Sequence, residues 1–223
     1  MPKTKAVIWD MDGVIADTAY YHLKAWQEVF RNRGVDFTEA DFRHSFGQRN
    51  DTIIKKTLGG DTSPQEIEAI AREKEKGFRR RIKGKLKPLP GVIELIASLK
   101  KRGFQMALAS SAPIENIQLV IKTLGINDCF QCVICDRDVT EGKPSPQAFL
   151  LAAGRLGVEP GDCLVIEDAV AGVIAAKRAG MHCLAVAGTH PRHSLAQADL
   201  VVDTLEAVTA DDIEALLSPS REA

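Results

Sequence analysis

A chain of 223 residues, 45% hydrophobic and 26% charged, is long enough for one large domain with an insertion or for two modest ones, and it reads as globular. The formal net charge of -1 leaves no electrostatic footprint for nucleic acid, and the basic run RRRIKGKLK, Arg79 to Lys87, reads as a solvated face. The longest apolar stretches are strand-sized and the amino terminus MPKTKAVIWD lacks an extended apolar region, so no membrane partner is expected and the cytoplasm is the expected compartment.

The first element, KAVIWD, reads as a buried strand, yet three carboxylates, Asp10, Asp12 and Asp17, stand at and just past its end. The segment from residue 17 to residue 87 is charged and helix-rich (YYHLKAWQEVFRNRG, EADFRHSFG, DTIIKKTLGG, SPQEIEAIAREKEKGFRRRI) and offers no convincing strand, so it reads as an inserted helical domain. From Gly91 onward helices and strands alternate. VIELIASLKKRG precedes the strand Phe104 to Ser110, IENIQLVIKTLG precedes FQCVICD, PQAFLLAAGRLG precedes CLVIED, and AGVIAAKRAG precedes HCLAVAG; DLVVDT and a closing helix near Leu205 to Leu217 end the series. This alternation predicts a parallel sheet wrapped by helices on both faces, with the core split into residues 1–16 and 88–223.

Five cysteines, an odd number, do not make a disulfide framework. Cys129, Cys132 and Cys135 have a C-x2-C-x2-C spacing, but in an alternating strand Cys132 and Cys135 point to opposite faces and no fourth ligand lies nearby, so they read as small buried hydrophobes.

In open parallel sheets ligands bind beyond the carboxyl ends of the strands. The polar residues expected there are Asp10 after the first strand, Ser110 after the second, Lys143 after the third, and Glu167 and Asp168 at the fourth. Clustered carboxylates repel by about 4 kcal/mol per pair at 4 Å and an effective dielectric of 20, so a cation must sit among Asp10, Asp12 and Asp168. Oxygen ligands without His or Cys suit Mg²⁺ rather than zinc. Lys143 then offers a point charge for a phosphate, Ser110 a hydroxyl donor, and the amides around Met11 to Gly13 a cradle. Asp10 is positioned to attack phosphorus, and Asp12, kept protonated, to serve the leaving oxygen and then the attacking water.

DMDGV (Asp10 to Val14), Ser110, the lysine of GKPSP and the ED pair Glu167-Asp168 resemble, in order, the four motifs of the haloacid dehalogenase superfamily, and most closely its β-phosphoglucomutase and sugar-phosphatase branch. The resemblance spans essentially the whole chain. It implies an α/β fold, a Rossmann-like parallel-sheet core of residues 1–16 and 88–223 carrying an inserted all-α helical cap of residues 17–87. It also implies Asp10 as nucleophile, Asp12 as acid and base, and Mg²⁺ bound by the Asp10 side chain, the Asp12 carbonyl and Asp168, with Glu167 assisting. In the cap, Thr18 and His22 resemble a hinge pair, Arg49 a phosphate-binding arginine and Lys74 a cap lysine; Ser111 follows the second motif as a substrate contact. Where the mutase carries Lys and Asn for the sugar phosphate, this chain has Pro113 and Ile114.

The expected function is therefore a Mg²⁺-dependent phosphohydrolase of small phosphorylated metabolites, sugar phosphates foremost, with β-phosphoglucomutase as the alternative and a non-enzymatic phospho-receiver switch as a remote one. Asp12 argues against a dehalogenase, whose halide leaving group needs no acid. The sequence carries no signal for oligomeric state, and a monomer is the default expectation.

Overall fold

The computed structural model of the protein describes residues 4–218. The strand β1 (Ala6–Trp9) is buried along its whole length, as a central strand covered on both faces must be. It lies inside a six-stranded sheet of order β3-β2-β1-β4-β5-β6, with β2 at Gln105–Ala109, β3 at Cys132–Ile134, β4 at Cys163–Glu167, β5 at His182–Val186 and β6 at Leu200–Val202. All five pairings are parallel. Trp9 is level with Leu108 on one side and Ile166 on the other, so the residues that follow these three strands emerge along one rim. The strand order reverses at β1 and β4, where a doubly wound sheet opens a crevice.

Strand alternation deals side chains to two layers. Val7, Trp9, Leu108 and Ile166 enter the layer shared with α5 (Val92–Lys101), α6 (Ile114–Thr123) and α9 (Ala210–Leu216). Ile8, Ala107, Ala109 and Val165 enter the opposite layer, beneath α7 (Gln147–Leu156) and α8 (Val170–Arg178). Cys135 packs in the first layer and Cys132 against the second, and all five thiols are free.

Four helices follow β1: α1 (Ala19–Arg31), α2 (Glu39–Ser45), α3 (Asn50–Leu58) and α4 (Pro64–Ile82). α2 begins at a capping box between Thr38 and Asp41, and α4 at Ser63, whose hydroxyl accepts from the Glu66 amide ahead of the Pro64 turn. α1 buries His22, Leu23, Trp26, Val29 and Phe30 at helical spacing. Leu23, Trp26, Val29 and Phe30 form with Phe37, Phe42, Phe46, Ile54 and Ile70 a core separate from the sheet layers, in which burial of each large side chain contributes about 2 to 3 kcal/mol. The entry and exit of this segment run side by side: Ala16 bridges Pro88 in antiparallel fashion and the Leu89 amide donates to the Ile15 carbonyl at 3.0 Å.

Two elements differ from the sequence expectation. The closing helix near Leu205 to Leu217 is two pieces, a 3-10 turn at Leu205–Ala207 and α9, because Thr209 caps α9 through a capping box with Asp212 and a cap residue must be extended. FQCVICD pairs only over Cys132–Ile134, since Asp138 accepts from the Cys135 amide and turns the chain into a 3-10 helix at Asp136–Asp138. Among the described residues no helix is long and apolar enough to cross a membrane.

Candidate active site

The rim beyond β1, β2 and β4 gathers the polar groups. The Asp10 amide donates to the Ile166 carbonyl at 2.9 Å and the Ser110 amide to Ile134 at 3.0 Å, so each residue is held one step beyond its strand. The Lys143 Nζ, delivered by the loop after β3, donates to Asp10 Oδ1 at 2.5 Å, to Glu167 Oε1 at 2.6 Å and to the Ala109 carbonyl at 3.4 Å. The second Glu167 oxygen accepts from the amides of Asp168 and Ala169, both at 2.8 Å. Gly13 turns the chain with φ 83°, and a β-carbon there would stand 1.9 Å from Asp168 Oδ2.

Burial pushes the Asp10 carboxyl up to about 7; Lys143 opposes this, and Glu167 and Asp12 add to it. Burial likewise raises Asp168 well above the carboxylate range, reinforced by Glu167 and Asp10. Burial disfavours the Lys143 charge, but Asp10 and Glu167 more than reverse that and hold it protonated. One lysine thus serves three acids. Asp10, Glu167 and Asp168 each offer an oxygen within 4.8 Å of the others, and both Asp168 oxygens are buried without a hydrogen bond of ordinary geometry, the nearby Thr189 hydroxyl offsetting only part of the burial effect. Buried carboxylates without donors need a cation, and a donor set made only of carboxylates fits a hard divalent ion.

Asp12 faces the other way. Its Oδ1 accepts from Thr18 Oγ1 at 2.5 Å and meets His22 Nε2 at 3.1 Å. The His22 Nδ1 lies 2.8 Å from Lys74 Nζ, and because an ammonium only donates, Nδ1 is the acceptor and Nε2 carries the proton toward Asp12. The ring stacks on Phe78 with centroids 3.8 Å apart, which fixes its orientation. Burial alone would raise the Asp12 pKa, but the approach and hydrogen bond of His22, the Thr18 bond and the Lys74 charge bring it below the usual value. The sequence expectation of a protonated Asp12 therefore does not describe this arrangement, in which Asp12 is ionised.

Beyond Lys74 the series continues through Glu75, Asn50, Asn116 and Arg79, which no motif in the sequence marks. Lys74 Nζ donates to Glu75 Oε1 at 2.7 Å; Asn50 donates to the same oxygen at 2.9 Å and Asn116, from α6, to Oε2 at 2.6 Å. Arg79 in turn donates to Asn116 Oδ1 at 2.8 Å. A signal was present: Ile70, Lys74, Phe78 and Ile82 recur every four residues on α4, so Lys74 and Glu75 occupy its buried stripe, where charge is uncommon.

Asp10, Asp12, His22, Lys74, Ser110 and Ser111 line one cavity of about 40 Å³, together with Trp26, Phe42, Phe46, Gln48, Asn50 and Glu75. Ser110 Oγ accepts from the Ala112 amide at 3.1 Å and keeps its hydrogen for a further partner, whereas Ser111 donates to the Gly47 carbonyl at 2.9 Å. Thr18 is buried behind Asp12. Arg49 is not brought to the cavity; its guanidinium donates to the carbonyls of Asp136 and Val139 at 3.2 and 2.6 Å and to Asp51 at 3.2 Å.

Residues 4–180 match the family model described as haloacid dehalogenase-like hydrolase. The chain is 35% identical over 206 residues to β-phosphoglucomutase of Bacillus subtilis, covering 89% of this chain and 88% of that protein. It is 32% identical over 180 residues to the fructose-1-phosphate phosphatase YqaB of Escherichia coli, covering 81% and 95%. Among solved structures, β-phosphoglucomutase from Clostridium difficile superposes with a TM-score of 0.88 at 30% identity, covering 96% of this chain and 97% of that one.

Proposed function

Because this chain belongs to the haloacid dehalogenase-like hydrolases, enzymes of phosphatase and phosphotransferase type, we propose that it is a Mg²⁺-dependent phosphohydrolase of small sugar phosphates working through an aspartyl phosphate. Family membership leaves the receiver switch without support. The observation that carries the reading is the buried set Asp10, Lys143, Glu167 and Asp168, whose member Asp10 lines a cavity walled by Ser110, Ser111 and Ala112 on one side and by the helical segment on the other.

In this reading an Asp10 oxygen attacks phosphorus, the ester P–O bond breaks, and the leaving alcohol takes a proton from Asp12. Water then attacks phosphorus, Asp12 takes its proton, and the bond between phosphorus and Asp10 breaks to release inorganic phosphate. Release of Asp12 from Thr18 and His22 removes contacts that hold its pKa down, which favours uptake of a proton from water before the ester bond breaks. The side chains of Asp10 and Asp168 and the Asp12 carbonyl would hold Mg²⁺, which supplies charge neutralisation for the phosphoryl oxygens. Glu167 has both oxygens engaged, so its part is to hold Lys143 and the amides of Asp168 and Ala169 in place. Ser110 donates to a phosphate oxygen. Residues 17–87 act as a cap, because about 40 Å³ is room for only a few waters and substrate entry requires the segment to move away. A cytoplasmic location fits this reading, since the thiols are free and the substrate is a phosphorylated metabolite. Phosphate release measured across sugar phosphates, nucleotides and phosphoglycolate tests the reading; activity confined to nucleotides, or none, would overturn it.

The 35% identity to the Bacillus subtilis enzyme favours a second reading, β-phosphoglucomutase. Against it, Pro113 is the cap residue of α6 and Ile114 packs on the core, so neither supplies a polar contact to a sugar phosphate. Given β-glucose 1-phosphate and catalytic glucose 1,6-bisphosphate, inorganic phosphate should appear faster than glucose 6-phosphate; the reverse order establishes the mutase.

A further inference from the structure

Lys74 is the only lysine or arginine among the described residues lining the cavity, and it is not free to receive an anion. Its ammonium lies between Glu75, at 2.7 Å, and His22, at 2.8 Å. Glu75 cannot swing away, because Asn50 from α3 and Asn116 from α6 hold its two oxygens. Burial works against the Glu75 charge, but Lys74, His22 and Asn116 overcome it and keep the carboxylate ionised. The Lys74–Glu75 pair is therefore electrically neutral as a unit, and it is buried. Walls that take no part in the reaction include aromatic rings (Trp26, Phe42 and Phe46), amides (Gln48 and Asn50) and the aliphatic Ile53, and none of them is charged. Aromatic and amide walls suit the C–H faces and hydroxyls of a polyol. They offer no cationic seat to a second phosphate, and Arg49, the cation that the sequence resemblance marks for a phosphate, spends its donors on loop carbonyls and Asp51.

We propose that Glu75 is a specificity-determining residue: by holding Lys74 in a neutral pair inside the cavity it restricts the enzyme to phosphomonoesters whose alcohol part carries no second anionic group. This rests on the phosphohydrolase reading above. With a neutral residue at position 75, the Lys74 ammonium would keep only His22 and the rings of Trp26 and Phe78, none of them an anion, and would attract a distal phosphate. A carboxylate there cancels that attraction and adds repulsion.

The test uses fructose 1-phosphate and fructose 1,6-bisphosphate as paired substrates for the full-length, Mg²⁺-loaded enzyme. Wild type should prefer the monophosphate in kcat/KM by at least about tenfold, the scale of one charge-assisted contact. Glu75→Gln should shift that ratio toward the bisphosphate by about tenfold or more, chiefly through a lower KM for the bisphosphate. A purely structural loss at Glu75 would lower both substrates alike and leave the ratio unmoved. Should Glu75→Gln fail to fold, Glu75→Asn, a shorter neutral side chain, is expected to shift the ratio in the same direction. A wild-type preference for the bisphosphate, or an unmoved ratio in the variant that folds, overturns the assignment of Glu75 while leaving the phosphohydrolase intact. Release of phosphate from neither sugar phosphate nor any other monoester overturns both.

Discussion

Gly172, in the first turn of α8, is the position where the site's architecture can be tested most sharply. A methyl group there would stand 1.8 Å from Glu167 Oε1, 1.9 Å from its Cδ and 2.5 Å from Oε2. The carboxylate has nowhere to retreat, since Lys143 holds one oxygen at 2.6 Å and two backbone amides hold the other at 2.8 Å. Gly→Ala in a helix ordinarily gains about 1 kcal/mol of propensity. Here overpacking costs roughly 1 to 3 kcal/mol and disruption of a buried ion pair roughly 3 to 5 kcal/mol, so the steric effect wins. Gly172→Ala should lose at least about 3 kcal/mol net and lower Tm by about 10 °C or more in metal-free buffer, followed by circular dichroism. Displacement of Lys143 should also cut phosphate release about a hundredfold. Gly154, in α7, is the control, because nothing lies within 4 Å of the β-carbon it would gain. Gly154→Ala should raise Tm by about 2 to 3 °C with activity unchanged. A Gly172→Ala protein as stable as wild type would refute the view that Glu167 is pinned.

Asp10→Asn should reduce phosphate release by several orders of magnitude while circular dichroism and Tm report an intact fold, since an amide does not attack phosphorus; a tenth of wild-type activity would sink the nucleophile. EDTA should abolish activity, Mg²⁺ restore it and Ca²⁺ inhibit, because a larger, more flexible shell misplaces the phosphate; full turnover in metal-free protein is the contrary result. The metal-free protein should lose stability as pH rises from about 4 to about 7: a carboxyl raised from 3.8 to about 7 binds more protons folded than unfolded across that window, so the slope is negative. Accordingly the Tm increment produced by Mg²⁺ should be larger at pH 7.5 than at pH 5, and an increment independent of pH would count against a shared site for proton and metal. Solution scattering should show a more compact particle with Mg²⁺ and a metal fluoride than without; equal radii of gyration would speak against a moving cap.

The sheet and the rim residues were legible in the chain because both are local facts. Apolar runs such as KAVIWD and CLVIED are too short for spanning helices and end in acids, and a parallel strand that ends in an acid can expose it only at its carboxyl edge. Alternation along FQCVICD likewise indicated that Cys132 and Cys135 enter different layers. Tertiary structure alone decided the partners. Asp12 follows the same strand as Asp10, yet it faces Thr18 and His22 rather than the acid cluster, and its pKa moves the opposite way for that reason. Arg49 resembles a phosphate-binding arginine in the sequence, but it meets the carbonyls of Asp136 and Val139, 87 and 90 residues along the chain. Lys74 and Glu75 show where the limit falls. Helical period turns them toward the buried side of α4, a property of the stretch from Ile70 to Ile82 alone. That the interior holds His22, Asn50 and Asn116, and that their dipoles and protons keep a buried ion pair satisfied, depends on three other helices docking at once; periodicity sets the direction of a side chain from its own axis, and only packing determines what it meets there.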